Sequence, residues 1–439
     1  MHAAALRVIK CRRGRRLRVA LAAMALIMGG GITAYSAVLG SPEYRLGIAA
    51  ANTFAKSGYN VTLSTQVSPG YMAAVAQGTD FASLGLPGIQ NPVTAARAIS
   101  SVSITMARGT NDVLNPNARF AIAYGKSTVL DMRIVKRTAY LRINPAALAN
   151  ERPIVLPKGA IKAMGQQLRA SVAKANKAKG ISPATKAFNS RALDLYDGST
   201  VAMNFASNTA AGRKWNRLVR PATNPQLQPV QQATATLMQA LRENLAGNTT
   251  VVDLDDDAIG DKMSVSVDVP GLLTAMKPQL LELAHQQAIA AGQEWDGDAE
   301  ALDFDQSISE FPTPLTADVW ISGDYIKQLE FDLSQLNSPP DAESLPAKGL
   351  VLRMIFNRGV VTAPTKIVRM SAAESSIAMN KMGASAFGFL AAANSGVPLP
   401  VRRPGTDGSL VMPSMSELAD HTAARALVWQ GAMMGFIAP

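Results

Sequence analysis

The chain has 439 residues, 48% of them apolar and 17% charged, which is ample for a packed core and far too apolar for a disordered chain. One cysteine, Cys11, excludes an intrachain disulfide framework and a Cys-based zinc site, and three histidines (His2, His285, His421) leave little for His-based catalysis. The net charge of +11 is mostly terminal: Arg7, Lys10, Arg12, Arg13, Arg15, Arg16 and Arg18 stand in an acid-free stretch, and without them 36 basic groups face 32 acidic ones. No aromatic-rich basic patch follows, so nucleic acid is not an expected partner.

The 24 residues from Val19 to Pro42 carry no charge. Cations ahead of an apolar run mark an export signal whose basic end stays inside. Residues 1–40 are therefore read as a signal peptide or a signal anchor. Small residues at cleavage spacings (Ala34 with Ser36, Val38 with Gly40) fit removal. The run is also long enough to span a bilayer, although Gly29-Gly30-Gly31 weakens its helix by about 1 kcal/mol per Gly relative to Ala. Cys11 lies before the run, which excludes thiol lipidation at the usual place after it. Arg15-Arg16 hints at the twin-arginine route, but Arg18 breaks the apolar half of that pattern.

Ser41-Pro42 then opens a helix over 43–56, with Ser as cap and Pro in the first turn, and Ser57-Gly58 ends it. Tyr59 to Val67 alternates apolar and polar residues. Period-two patterns recur at Val102, Ile104 and Met106, at Phe120, Ile122 and Tyr124, and at Leu130, Met132 and Ile134, with a turn expected at Lys136-Arg137 before Thr138 to Ile143. Val201, Met203 and Phe205 form a further set. Met263, Val265, Val267 and Val269 give the cleanest one. Val319 and Ile321 face Leu329, Phe331 and Leu333 across a turn at Ser322-Gly323-Asp324, and Leu350 to Phe356 precedes a last strand near 366–370. Such alternation describes antiparallel strands covered on one side.

Three helices interrupt the strands: 158–177, 229–245 with Gly247 placed as a left-handed C-terminal residue, and 271–291 carrying Leu272, Leu273, Met276, Leu280 and Leu283. Residues 371–439, rich in Ala, Ser, Met, Gly and Pro, are read as a loosely ordered extension.

Enzyme signatures mostly fail. Gly125-Lys126-Ser127 lacks the upstream glycine of a phosphate loop, because residue 120 is Phe. Gly383-Ala384-Ser385-Ala386 lacks the closing glycine of a hydrolase elbow, because residue 387 is Phe. His285 has no Cys or Ser nearby with which to form a base–nucleophile pair. Two acidic clusters, Asp253 to Asp261 and Asp296 to Asp305, suggest calcium loops, but from Asp253 the sixth position is Ala258 and the twelfth Ser264. They read as solvated turns. No cofactor and no metal site is expected. Charge is segregated all the same. Residues 151–220 hold 13 basic and 3 acidic groups, whereas 253–305 hold 2 basic and 13 acidic. Lys158, Lys162, Arg169, Lys174, Lys177 and Lys179 are candidates for meeting anionic lipid headgroups, against the plainer reading of a solvated face.

The segments Tyr44–Val67 (YRLGIAAANTFAKSGYNVTLSTQV), Thr138–Asn144 (TAYLRIN) and Ala317–Leu333 (ADVWISGDYIKQLEFDL) stand in an order of helix, strand, many antiparallel strands, interposed helices and closing hairpin. That order resembles the LppX/LprG-type lipoproteins of actinobacteria and, more distantly, the LolA/LolB lipoprotein carriers. The resemblance covers roughly residues 41–370, and this chain departs from the family in lacking the lipid-anchoring Cys. It implies an α+β fold in which a curved antiparallel sheet, a half-open barrel, is covered by helices, with lipid acyl chains held in an apolar cavity between the layers. Leu272, Leu273, Met276, Leu280, Leu283, Val319 and Ile321 are the candidate lining, against the plainer reading of a solid core. The expectation is an exported, membrane-associated, non-enzymatic envelope protein that binds or carries a lipid or other amphiphile. The rival is an envelope scaffold with the same fold and a filled core; a third, weaker one is a hydrolase whose site the sequence does not reveal.

Overall fold

A computed structural model describes residues 41–55, 58–75, 89–109, 117–150, 159–206, 208–213, 228–290, 294–309, 314–336 and 348–381. The signal segment 1–40, Lys158 and the chain after 381 lie outside the described residues. In chain order the first half contains α1 (Pro42–Ala55), β1 (Tyr59–Val67), α2 (Pro69–Val75), α3 (Pro92–Ser100), β2 (Val102–Arg108), β3 (Ala118–Tyr124), β4 (Ser127–Val135), β5 (Thr138–Ile143), α4 (Pro145–Asn150), α5 (Ala160–Lys177), α6 (Pro183–Tyr196) and β6 (Thr200–Asn204). The second contains α7 (Gln228–Leu245), β7 (Thr249–Asp253), β8 (Asp261–Val267), α8 (Val269–Ala290), α9 (Gly297–Ser309), β9 (Leu315–Ser322), β10 (Tyr325–Asp332), β11 (Leu350–Arg358), β12 (Val368–Arg369) and α10 (Ala372–Lys381).

Five of these helices start with proline, and in each case Ser or Asn precedes it. The cap oxygen accepts from the third residue on: Tyr44 N to Ser41 Oγ at 3.2 Å, Tyr71 N to Ser68 Oγ at 3.0 Å, Thr94 N to Asn91 Oδ1 at 2.8 Å and Thr185 N to Ser182 Oγ at 3.1 Å. Proline costs nothing there, because the N–H it lacks would have no helical partner.

The strands are almost all antiparallel and, with the helices, make a mixed α and β chain whose described residues fall into two compact units. The sequence reading placed one half-barrel over 41–370.

The first unit comprises residues 41–55 and the described parts of 228–356. Its strands run β11-β10-β9-β8-β7, each pair antiparallel. Met263, Val319, Leu329 and Met354 stand in register across four strands, and all are buried. The β9–β10 turn falls at Gly323-Asp324, with Gly323 at φ 57°. Helix α1 packs on β10 and β7 through its buried Leu46, Ala49 and Ala50. β10 bulges between Ile326 and Gln328, and the Ile326 amide donates to Thr53 Oγ1 at 2.9 Å, whose hydroxyl donates to Ala49 O. A buried hydroxyl thus serves an amide at the bulge, where an unmet donor would be costly. Helix α8 packs on α7 and α9. Gly247 does not take the left-handed conformation expected of it. α7 instead runs into a 3₁₀ turn over Ala246–Asn248, a tightening that uses last-turn carbonyls without a positive φ.

The second unit holds the described parts of 58–213 and 357–381. Its strands run β12-β6-β5-β4-β3-β2-β1. The last strand departs from the antiparallel expectation: Val368 and Arg369 lie parallel to Val201 and Ala202. Phe120, Leu130, Met132, Ile134, Met203 and Phe205 form the sheet side of its core, with Phe188 of α6 and Met379 of α10 in the same cluster. A smaller cluster of Met72, Ile89, Ala95, Ala96 and Ala98 lies at α2 and α3. The segment read as a loose extension begins, in its described part, as helix α10. Ser371 and Glu374 form a capping box there, with Glu374 N to Ser371 Oγ at 3.2 Å and Ser371 N to Glu374 Oε2 at 2.7 Å.

Candidate functional site

The seven residues proposed to line a cavity all fall in the first unit. On α8, Leu272, Met276 and Leu283 recur at helical spacing and are 2, 2 and 4% exposed, whereas Leu273 and Leu280 are half-buried. On β9, Val319 and Ile321 are each 3% exposed and point to one side of the sheet by strand alternation. The same side carries Met263 and Val265 of β8, Phe331 of β10 and Met354 of β11. That sheet face is apolar at its centre, and its Met263 and Met354, like Met276 of α8, are buried to 2% or less. α8 also holds Pro278 inside it, where no amide is available for the preceding turn.

The opposite side of that sheet is polar and tightly paired. Lys262 Nζ lies 2.9 Å from Asp318 and 5.0 Å from the Trp320 ring. Trp320 Nε1 donates to Asp257 Oδ2 at 2.7 Å, and that bond, with the Ile259 amide next, holds the Asp257 carboxyl below its usual range. Arg353 pairs with Glu330.

The acidic clusters have local structural partners. Arg45 reaches both Asp253 and Asp261. Asp296 caps α9, accepting from Ala299 N at 3.1 Å, and Asp305 pairs with Lys277 at 2.6 Å. Among the described residues no group of three or more His, Cys, Asp or Glu is arranged to hold a metal ion. His285 stacks on Trp295 with centroids 5.5 Å apart.

The headgroup candidates fall in the second unit. Lys162, Arg169, Lys174 and Lys177 are exposed on α5, and Lys179 is exposed in the turn beyond it. Arg169 donates to Asp197 at 2.9 Å.

Two buried ionic groups escaped the sequence reading. Asp131 sits between Arg119 and Arg133, with contacts of 3.0 Å to Arg119 Nε and 2.6 Å to Arg133 Nη2. Burial alone would raise its pKa; the hydrogen bonds from Arg133 and then Arg119 outweigh that and hold it below the usual carboxylate range. Glu374, 3% exposed, accepts from Arg191 Nε at 2.9 Å as well as from Ser371. Alternation marked Asp131 and Arg133 as one face of β4, but only cross-strand register brings Arg119 beside them. Compared with known proteins, the chain matches no family model, no curated sequence and no solved structure.

Proposed function

We propose that this chain is an exported, membrane-associated, non-enzymatic envelope protein that binds or carries a lipid or other amphiphile in the apolar layer of its first unit. The observation that carries the reading is the buried methionine content of the first unit. Met263, Met276 and Met354 are unbranched and polarizable, and such side chains adapt to apolar guests of varied shape. Each CH₂ buried there would contribute about 0.8 kcal/mol. The resemblance to LppX/LprG-type carriers supports the same reading, since an open antiparallel sheet with helices beside it is the arrangement that family uses. The basic, apolar N-terminal segment supports export. The rival, an envelope scaffold with a filled core, draws on the deep burial of Leu272, Met276 and Leu283.

The test is native mass spectrometry of the full chain purified from membranes, read together with melting temperature for Met276→Trp and Leu280→Trp. A carrier copurifies with lipid, and the larger side chain displaces that lipid at little cost in stability. A filled core shows no lipid, and overpacking lowers stability by about 1–3 kcal/mol; that result would put the scaffold in front.

A further inference from the structure

Residues 159–193 hold seven basic side chains and no acidic one, and they fold into the α5–α6 helical hairpin of the second unit. Within α5, Gly165, Leu168 and Val172 are buried and recur at helical spacing. Against α6, Leu168 and Val172 cluster with Ala192, and Leu193 and Tyr196 pack beside them. The opposite arc of α5 carries Lys162, Lys174 and Lys177 among exposed Ala163, Gln166, Gln167, Ala170 and Ala173. Lys179 in the turn and Lys186 on α6 are exposed too.

The two arginines of the hairpin are engaged. Arg169 pairs with Asp197, and Arg191 pairs with Asp194 and Glu374. Those pairings leave the five lysines, none of which pairs with a carboxylate among the described residues. Cations that serve folding are thus satisfied within the unit, while flexible point charges stand among exposed, uncharged alanines and glutamines. Such a surface lets several ammonium groups reach one plane, which suits a sheet of phosphate headgroups. Single-stranded nucleic acid would call for aromatic platforms beside the charge, and α5 has none.

We infer that the α5–α6 hairpin docks the protein on an anionic lipid surface through Lys162, Lys174, Lys177, Lys179 and Lys186. The inference rests on the membrane-associated reading above and supplies its contact surface. Each lysine near such a surface strengthens binding by about fivefold, and salt weakens it.

The experiment is vesicle flotation of the full chain, wild type against the Lys162→Gln/Lys174→Gln/Lys177→Gln/Lys179→Gln variant. The vesicles are phosphatidylcholine alone or mixed with phosphatidylglycerol. Both chains keep the same basic N-terminus, so the difference between them reports the hairpin. The wild type should prefer the anionic vesicles, and the variant should lose that preference by about several hundred-fold with an unchanged melting temperature. A variant that keeps the wild-type preference overturns the inference. So does a result in which these lysines govern binding to duplex DNA, or self-association through the acidic residues of a second copy, with no effect on vesicles. Lipid copurification is read on the same samples. If the wild type carries no lipid and the vesicle preference still depends on the lysines, the carrier reading falls and the docking surface stands.

Discussion

Glu374 is a carboxylate that folding places almost out of water and then supplies with donors. Burial works to raise its pKa, but the Ser371 amide and hydroxyl and the Arg191 guanidinium outweigh that, so the folded value lies below the ordinary one. A depressed folded pKa means the contribution to stability is complete above the unfolded carboxylate value. It declines as pH falls through the interval between the two values and is gone below the folded one. Glu374→Gln should therefore cost about 1–3 kcal/mol at neutral pH, with most of the gap to wild type closing in acid. Chemical denaturation at the two pH values measures this; a gap of equal size at both would remove the charge from the explanation. Asp131, held down by Arg133 and Arg119 against its own burial, should add to acid lability in the same direction.

Between residues and units stand the elements, and α5 shows how one position can decide a packing. Glycine within a helix costs about 1 kcal/mol relative to alanine, so Gly165→Ala would stabilise an isolated α5. In the folded hairpin a Cβ at Gly165 would lie 2.7 Å from Tyr196 Cε1, inside any normal contact. Tyr196 is itself anchored, its hydroxyl donating to Ile161 O. Gly165→Ala should consequently destabilise the full chain, by about 1–3 kcal/mol of overpacking less the propensity gain, and lower its melting temperature. Adding Tyr196→Phe, which frees the ring from that anchor, should recover part of the loss. A rise in melting temperature for Gly165→Ala alone would show that the close approach is not kept in solution. The β4–β5 turn makes a similar point: Lys136 and Arg137 take φ of 46° and 62°, a pair of positive values usually given to Asn-Gly. The charge-bearing pair holds the turn although its residue types do not favour it. The amide of Lys136, accepted by Asn117 Oδ1 at 3.2 Å, and the Arg137 carbonyl, which accepts from Phe205 N at 3.0 Å, tie it to neighbouring segments.

For the whole molecule, the proposed export rests on residues 1–42, which lie almost entirely outside the described ones. Among the described residues no helix is long and apolar enough to cross a membrane. The export reading therefore rests on the seven cations and the 24 uncharged residues after them. A fusion of residues 1–60 to a reporter active only outside the cytoplasm should be active, and Cys11→Ser should leave localisation unchanged. A silent fusion, beside an active control carrying a known signal, would end the reading.

The sequence by itself determined the features whose cause is local. Ser41 before Pro42 marked the start of α1 through its cap. The alternation from Met263 defined β8 and its buried side, although it ran on to Val269, which begins α8 instead, and Gly323 marked the β9–β10 turn. In each case the deciding interaction spans only a few residues, or repeats with the period of the backbone. Tertiary structure alone decided which distant segments meet. β12 pairs with β6, and Arg191 meets Glu374 across 183 residues. Backbone hydrogen bonds are the same for every residue type, so nothing in Val368-Arg369 names Val201-Ala202 as a partner. Burial is likewise a property of the assembled unit. The spacing of Leu272, Met276 and Leu283 predicts a common face but not how deeply it is enclosed. The residues after 370, poor in strand patterns, contain a helix whose Glu374, Ala378 and Met379 are buried, because α6 and β6 are there to receive it.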